Sequence, residues 1–149
     1  MKITLSVNSK QFIEVGHSDL ASFVNFMNDE PCHSAFLSAL VSHPASEVRC
    51  AVAGKSCLPV ESLAKLARDS SINVVRQVAN NEIALNLFDQ SLIQTMIDRD
   101  VSVASDLADN LNMVCEEKLD GIIYSLMHHA DPQVVDTATG FDSNRQADR

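Results

Sequence analysis

A six-residue pattern, Val-x-x-x-Val-Ala, occurs twice in the middle of the chain, from Val48 to Ala53 and from Val74 to Ala79. The interval from Val48 to Val74 is 26 residues. Self-similarity at a period of 20–50 residues marks stacked supersecondary units, none of which buries its apolar face alone. Stacking neighbours then makes one continuous core. The chain has 149 residues, the length of one domain. With no Trp, one Tyr and six Phe, that core must be built from Leu, Val, Ile and Ala.

The apolar spacing predicts a mainly all-α chain with a short N-terminal β-hairpin. Ile3, Leu5 and Val7 alternate with polar residues, and Phe12-Ile13-Glu14-Val15 is rich in strand formers. A hairpin over 1–16 with its loop at Asn8-Ser9-Lys10 is expected. Ser18-Asp19 reads as a helix cap, followed by Leu20, Phe23, Val24 and Met27 on one face. Pro31 suits the first position of a second helix. Gly54 reads as a terminator, and Pro59 opens the next helix, with Val60, Leu63, Leu66 and Ala67 inside. Leu87, Phe88, Leu92, Met96 and Ile97 read as one partner helix. The repeated face continues at Val103 and at Val134, and Gly140 ends the last helix. The expected organisation is one domain over 1–149, with helical repeats over 17–140 and a flexible polar tail over 141–149.

The run His43-Pro44-Ala45-Ser46-Glu47-Val48-Arg49 resembles the Asp-Pro-x-x-x-Val-Arg opening of HEAT-like repeats. Pro59-Val60-Glu61-Ser62-Leu63-Ala64-Lys65-Leu66-Ala67-Arg68-Asp69 resembles the leucine-rich repeat variant of bacteria. That family reads Val-Arg-x-x-Val-Ala, then Pro-x-x-x-Leu-x-x-Leu-Ala-x-Asp. The match is specific over about one and a half units and decays beyond Asn81. The resemblance implies a right-handed α-helical repeat superhelix whose usual service is binding. The family's founding type carries an N-terminal cysteine cluster for an iron–sulfur centre. Residues 1–42 here hold Cys32 alone, so no cofactor is implied.

Net charge is −9 and is unevenly placed. Residues 1–68 hold six basic and six acidic residues, whereas 69–149 hold five basic and fourteen acidic ones. Such a balance opposes non-specific nucleic-acid binding, which needs basic surface. Asp98, Asp100, Asp106, Asp109, Glu116, Glu117 and Asp120 form the densest acidic stretch, with only Arg99 and Lys118 among them. Asp106 and Asp109 share a helix face, where their repulsion gains nothing for stability. This stretch is the candidate surface for a basic protein partner, against the alternative of a solvated face that serves solubility.

Other chemistry is weakly signalled. Cys32, His33, His43, Cys50 and Cys57 lack the paired spacing of a zinc site, so no metal is expected. His128-His129 falls at a helix end, where imidazoles serve the last carbonyls. Arg49 and Arg76 read as a ladder to aspartates of the neighbouring unit, such as Asp69 or Asp100, more readily than as anion ligands. No Ser-His-Asp order, Gly-rich phosphate loop or His-Glu-x-x-His motif occurs. The N-terminus shows no charged-then-apolar leader, and a cytoplasmic protein with reduced thiols is expected.

The expected function is therefore a non-catalytic protein–protein interaction module without cofactor, nucleic acid or membrane as partner. Two alternatives stand beside it. HEAT-like folds include DNA-base glycosylases and pigment-attaching lyases, so an enzyme of that type is one. A homodimer or larger assembly formed through the hairpin is the other.

Overall fold

The computed structural model describes residues 3–7 and 10–147. Strands β1 (Ile3–Val7) and β2 (Lys10–Val15) run antiparallel, with Ile3 opposite Val15 and an irregularity between Leu5 and Ser6. Asn8 and Ser9 of the expected loop lie outside the described residues, and Lys10 already belongs to β2. Ten α-helices follow among the described residues: α1 (His17–Phe26), α2 (Ser34–Leu40), α3 (Ser46–Ala53), α4 (Val60–Leu66), α5 (Ile72–Ala79), α6 (Glu82–Leu87), α7 (Gln90–Ile97), α8 (Val101–Asp109), α9 (Glu116–Met127) and α10 (Pro132–Ala147). Short 3-10 turns at Pro31–His33 and Leu111–Met113 precede α2 and α9. The chain is all-α in its main part, as its apolar spacing predicts.

The helices form two rows. In the first, α1 packs on α3, α3 on α5, α5 on α8 and α8 on α10, in chain order. In the second, α4 meets α6, and α7 meets α9. Buried apolar side chains between the rows form one continuous cluster from Leu20 to Ala138. Val48, Val74, Val103 and Val134 take the same buried place in α3, α5, α8 and α10. One turn later, Val52, Val78, Leu107 and Ala138 are buried too. Leu63, Leu66 and Leu92 fill the space between the rows.

Each first-row helix from α3 onward has a side-chain turn at its start, three residues before α3 and α5 and directly before α8 and α10. A short polar side chain accepts the backbone N–H two residues ahead, which satisfies one of the orphan donors at a helix start. His43 Nδ1 accepts from Ala45 at 3.2 Å. Asp69, Asp100 and Asp131 accept from Ser71, Ser102 and Gln133 at 2.8, 2.8 and 2.9 Å. His43 stands, like Asp69 and His129, five residues before the repeated Val, whereas Asp100 and Asp131 stand three before it. His43 is buried, and burial pushes its imidazole pKa down.

Several boundaries differ from expectation, each for a local reason. α1 starts at His17 behind Gly16, and no side chain caps it, so Ser18-Asp19 lie inside the first turn. The expected partner helix over Leu87–Ile97 is two helices. Asn81 caps α6 by accepting from Ala84, and Asp89 caps α7 by accepting from Leu92 at 2.8 Å. Phe88 between them is buried, which turns Leu87 outward. Phe23 and Val60, expected inside, are exposed. α10 does not end at Gly140 but continues to Ala147.

Units are tied by polar links as well as by the core. Arg49 grips Asp69 with two hydrogen bonds of 2.6 and 2.8 Å and also donates to the carbonyls of His43 and Pro44. Both side chains are largely buried, at 12% and 9% exposure. Burial alone would raise the Asp69 pKa. Arg49 and the Ser71 N–H outweigh it and hold the carboxyl below its ordinary value. Asn81, itself buried, donates to the carbonyls of Ala53 and Lys55 at 2.9 and 3.2 Å. Lys55 reaches back to the Met27 carbonyl at 2.6 Å.

Two outcomes are expected. Leu66→Ala should lower unfolding stability in urea by about 2–5 kcal/mol, the range for deleting a packed Leu. A loss under about 0.5 kcal/mol would place Leu66 at the surface. Asp69→Asn should cost about 1.5–3 kcal/mol at neutral pH, the range for hydrogen bonds to charged groups. Because the folded pKa lies below the unfolded one, this stability is present above about pH 4 and is lost as pH falls through the folded value. The gap between wild type and variant should therefore close in acid. A gap that is constant from neutral pH to pH 3 would contradict it.

Candidate functional site

The acidic stretch runs through the end of α7, all of α8, the turn at Leu111–Met113 and the first half of α9. Two of its aspartates serve helix ends. Asp98 is the C-terminal cap of α7 and accepts from Gln94 Nε2 at 2.8 Å. Asp100 caps α8, accepting from the Ser102 hydroxyl at 2.6 Å and the Ser102 N–H at 2.8 Å. Those bonds, the hydroxyl's first, hold its carboxyl below the ordinary value.

Arginines from outside the stretch take three more of the acids. Arg76 on α5 holds Asp106 on α8 at 2.7 and 3.1 Å. Arg145 on α10 holds Asp120 and Glu116 on α9, each at 2.7 Å. Asp109 and Glu117 are exposed. The two basic residues inside the stretch turn elsewhere. Arg99 donates to the carbonyls of Asp69 and Ser70, and Lys118 to the carbonyl of Phe88. So the acids divide into helix caps, two arginine-held groups and a free remainder.

The Arg76 pairing keeps the expected ladder to an aspartate of the neighbouring unit but changes which aspartate it meets. Arg49 does meet Asp69, but Arg76 meets Asp106 rather than Asp100. The two arginines are not equivalent. Arg49 follows Val48 directly, whereas Arg76 stands two residues after Val74. One residue along a helix turns the side chain by about 100°. Arg76 therefore points along α8, while Asp100 is occupied with the start of that helix.

The histidines and cysteines are spread along the chain, and most have their own backbone or carboxylate neighbour. The His33 ring bonds to the Asn28 carbonyl at 2.9 Å and the His128 ring to the Tyr124 carbonyl at 2.7 Å. His128 thereby serves the end of α9, as expected. His129 instead accepts from the Asp131 N–H at 3.0 Å, ahead of α10. Burial pushes the Cys50 and Cys57 thiols up, and Asp29 adds to the effect at Cys57. Raised thiol pKa values oppose the thiolate form that metals and electrophiles take. Among the described residues, no group of three His, Cys, Asp or Glu side chains could hold a metal ion. Among them, too, no helix is long and apolar enough to cross a membrane.

A shallow cleft of about 260 Å³ opens between the starts of α8 and α10, lined by Val101, Ser102, Ser105, Asp131, Gln133 and Val134. Its carboxylate is engaged with the N–H groups of Gln133 and Val134. The cleft mixes hydroxyl, amide and valine surface without a charged group left to direct a ligand.

Sequence reasoning missed Arg145. It lies in a polar segment without apolar periodicity, and nothing local shows that its side chain is 13% exposed between three carboxylates. Only the i−3 spacing to Asp142 was visible in the sequence. Lys55 and Asn81 gave no signal either, since their partners are backbone carbonyls about one unit back. Compared with protein-family models, with curated proteins and with solved structures, the chain matches none.

Proposed function

We propose that the chain is a non-catalytic protein-binding module, an α-helical repeat superhelix whose acidic second half engages a basic protein partner. Strands β1 and β2 form its hairpin extension, and its setting is cytoplasmic. The observation that carries the reading is the outward charge of the second half. Asp98, Asp109 and Glu117 are exposed. The side chains of Glu116 and Asp120 are 61% and 82% exposed even while they hold Arg145. Carboxylates that stabilise nothing by self-repulsion, set on a rigid row of helices, suit a partner rich in Lys or Arg. The row of short helices supplies a surface with fixed spacing, on which charges from successive units align. Its cysteines are free thiols, which suits a reducing compartment.

The test must spare the acids that hold the fold. Reversing Asp106 or Glu116 would set a lysine against Arg76 or Arg145 and confuse binding with unfolding. Asp109 and Glu117 are the informative positions. Changing both to Lys moves the net charge from −9 to −5. Capture of partners from native cell extract, quantified by mass spectrometry, should then fall at least about tenfold, the effect of roughly 1.4 kcal/mol. Wild-type capture should weaken with added salt, since exposed charges are screened beyond about 8–10 Å. Capture that ignores both the reversal and the salt would reject the acidic half as the interaction surface.

A further inference from the structure

We propose that the last two turns of α10, residues 140–147, are a displaceable strap whose Arg145 occupies, as an internal competitor, the carboxylates that a basic partner would take. This inference rests on the acidic-surface reading above. Arg145 donates through Nη1 to Asp120 and through Nη2 to Glu116, both at 2.7 Å, and lies 4.0 Å from Asp142 on its own helix. The guanidinium thus spans two acids one turn apart on α9, the arrangement that an arginine of a bound protein would adopt. Its side chain is 13% exposed, whereas those of Glu116 and Asp120 are 61% and 82% exposed. The acids are therefore reachable from solvent with the strap in place.

Among the described residues, little else holds the strap. Phe141 is half-buried against the core. Ser143, Asn144, Gln146 and Ala147 are exposed. The Gln146 bond to Asp142 at 2.6 Å stays within the strap. Arg145 Nε is buried without a hydrogen-bond partner among the described residues, so they leave the docked guanidinium incompletely satisfied. Gly140 lies inside the helix at the point where the strap begins, and a Cβ there would meet nothing within 4 Å. No close approach requires glycine at this place, and glycine weakens a helix interior relative to alanine. A weak joint followed by one aromatic anchor and one charge clamp is a segment that competes rather than seals. Apparent affinity falls by the fraction of molecules in which the strap is open, so a strap docked nine-tenths of the time weakens a competitor about tenfold.

The test uses the full chain and a fluorescein-labelled hexa-arginine peptide, followed by anisotropy at low salt. Arg145→Ala should bind the peptide about tenfold more tightly than wild type. Arg68→Ala removes the same charge from α4, where Arg68 donates to the Ala64 carbonyl of its own helix, and should leave affinity within about twofold. Gly140→Ala should stiffen the strap and weaken peptide binding about two- to fivefold, the factor that a glycine-to-alanine change confers on a helix. Equal affinities for wild type, Arg145→Ala and Gly140→Ala would overturn the strap and leave the acidic surface standing. An equal gain in Arg145→Ala and Arg68→Ala would do the same, as it would reflect charge alone. Peptide binding by none of these proteins would remove the acidic-surface reading and the strap with it.

Discussion

Short helices impose one demand that the rest of this structure answers. α2, α4 and α6 have seven, seven and six residues. A helix leaves four N–H and four C=O groups without internal partners, so in helices of this length most residues carry an unmet group. Stacking the units pushes many of these ends toward neighbours, where an unpaired polar group costs about 1–3 kcal/mol. The chain meets them with side chains. Aspartates, and ahead of α3 and α10 histidines, take N–H groups at first-row helix starts. Lys55, Asn81, Arg99 and Lys118 each reach back about one unit to carbonyls at Met27, Ala53, Asp69 and Phe88. Asn86 joins Met113 and Cys115 in both directions, donating to one carbonyl and accepting one N–H.

This demand also sorts the charges. Among the described residues Arg99 and Lys118, the basic residues inside the acidic stretch, donate to backbone carbonyls rather than pairing with its acids. Arg76 and Arg145 come from other helices and take Asp106, Glu116 and Asp120 instead. What is left facing solvent is acidic, on helices whose positions are fixed by the core. The exposed acidic surface follows from how the helix ends are satisfied.

The sequence displayed the first-row core well, because Val48, Val74, Val103 and Val134 recur in a local pattern that burial then repeats. Arg49 and Asp69 were legible together, since both belong to a motif that spans one unit. The pairing of Arg76 was not, because a shift of one residue redirects the side chain to Asp106. The split of the Leu87–Ile97 segment was hidden by a continuous apolar spacing, although Asp89 supplied a cap in its middle. Among the candidate acids, the sequence showed their density but not their occupation. Arg145 stands 25 residues from Asp120 and 29 from Glu116, in a segment whose polarity reads as a loose end. Distances of that kind are set by how α10 lies against α9, which no local pattern records.

The most direct test of the account is the stability of Asn81→Ala by urea unfolding. Asn81 is 6% exposed, caps α6 through Ala84 and donates to two carbonyls of the preceding unit. If side chains that satisfy helix ends hold the units together, alanine there leaves three buried groups unmet. The account predicts a loss of at least about 2 kcal/mol, from unpaired carbonyls and a lost cap together. A loss within about 0.5 kcal/mol would show that the apolar core alone fixes the stack and would contradict the account.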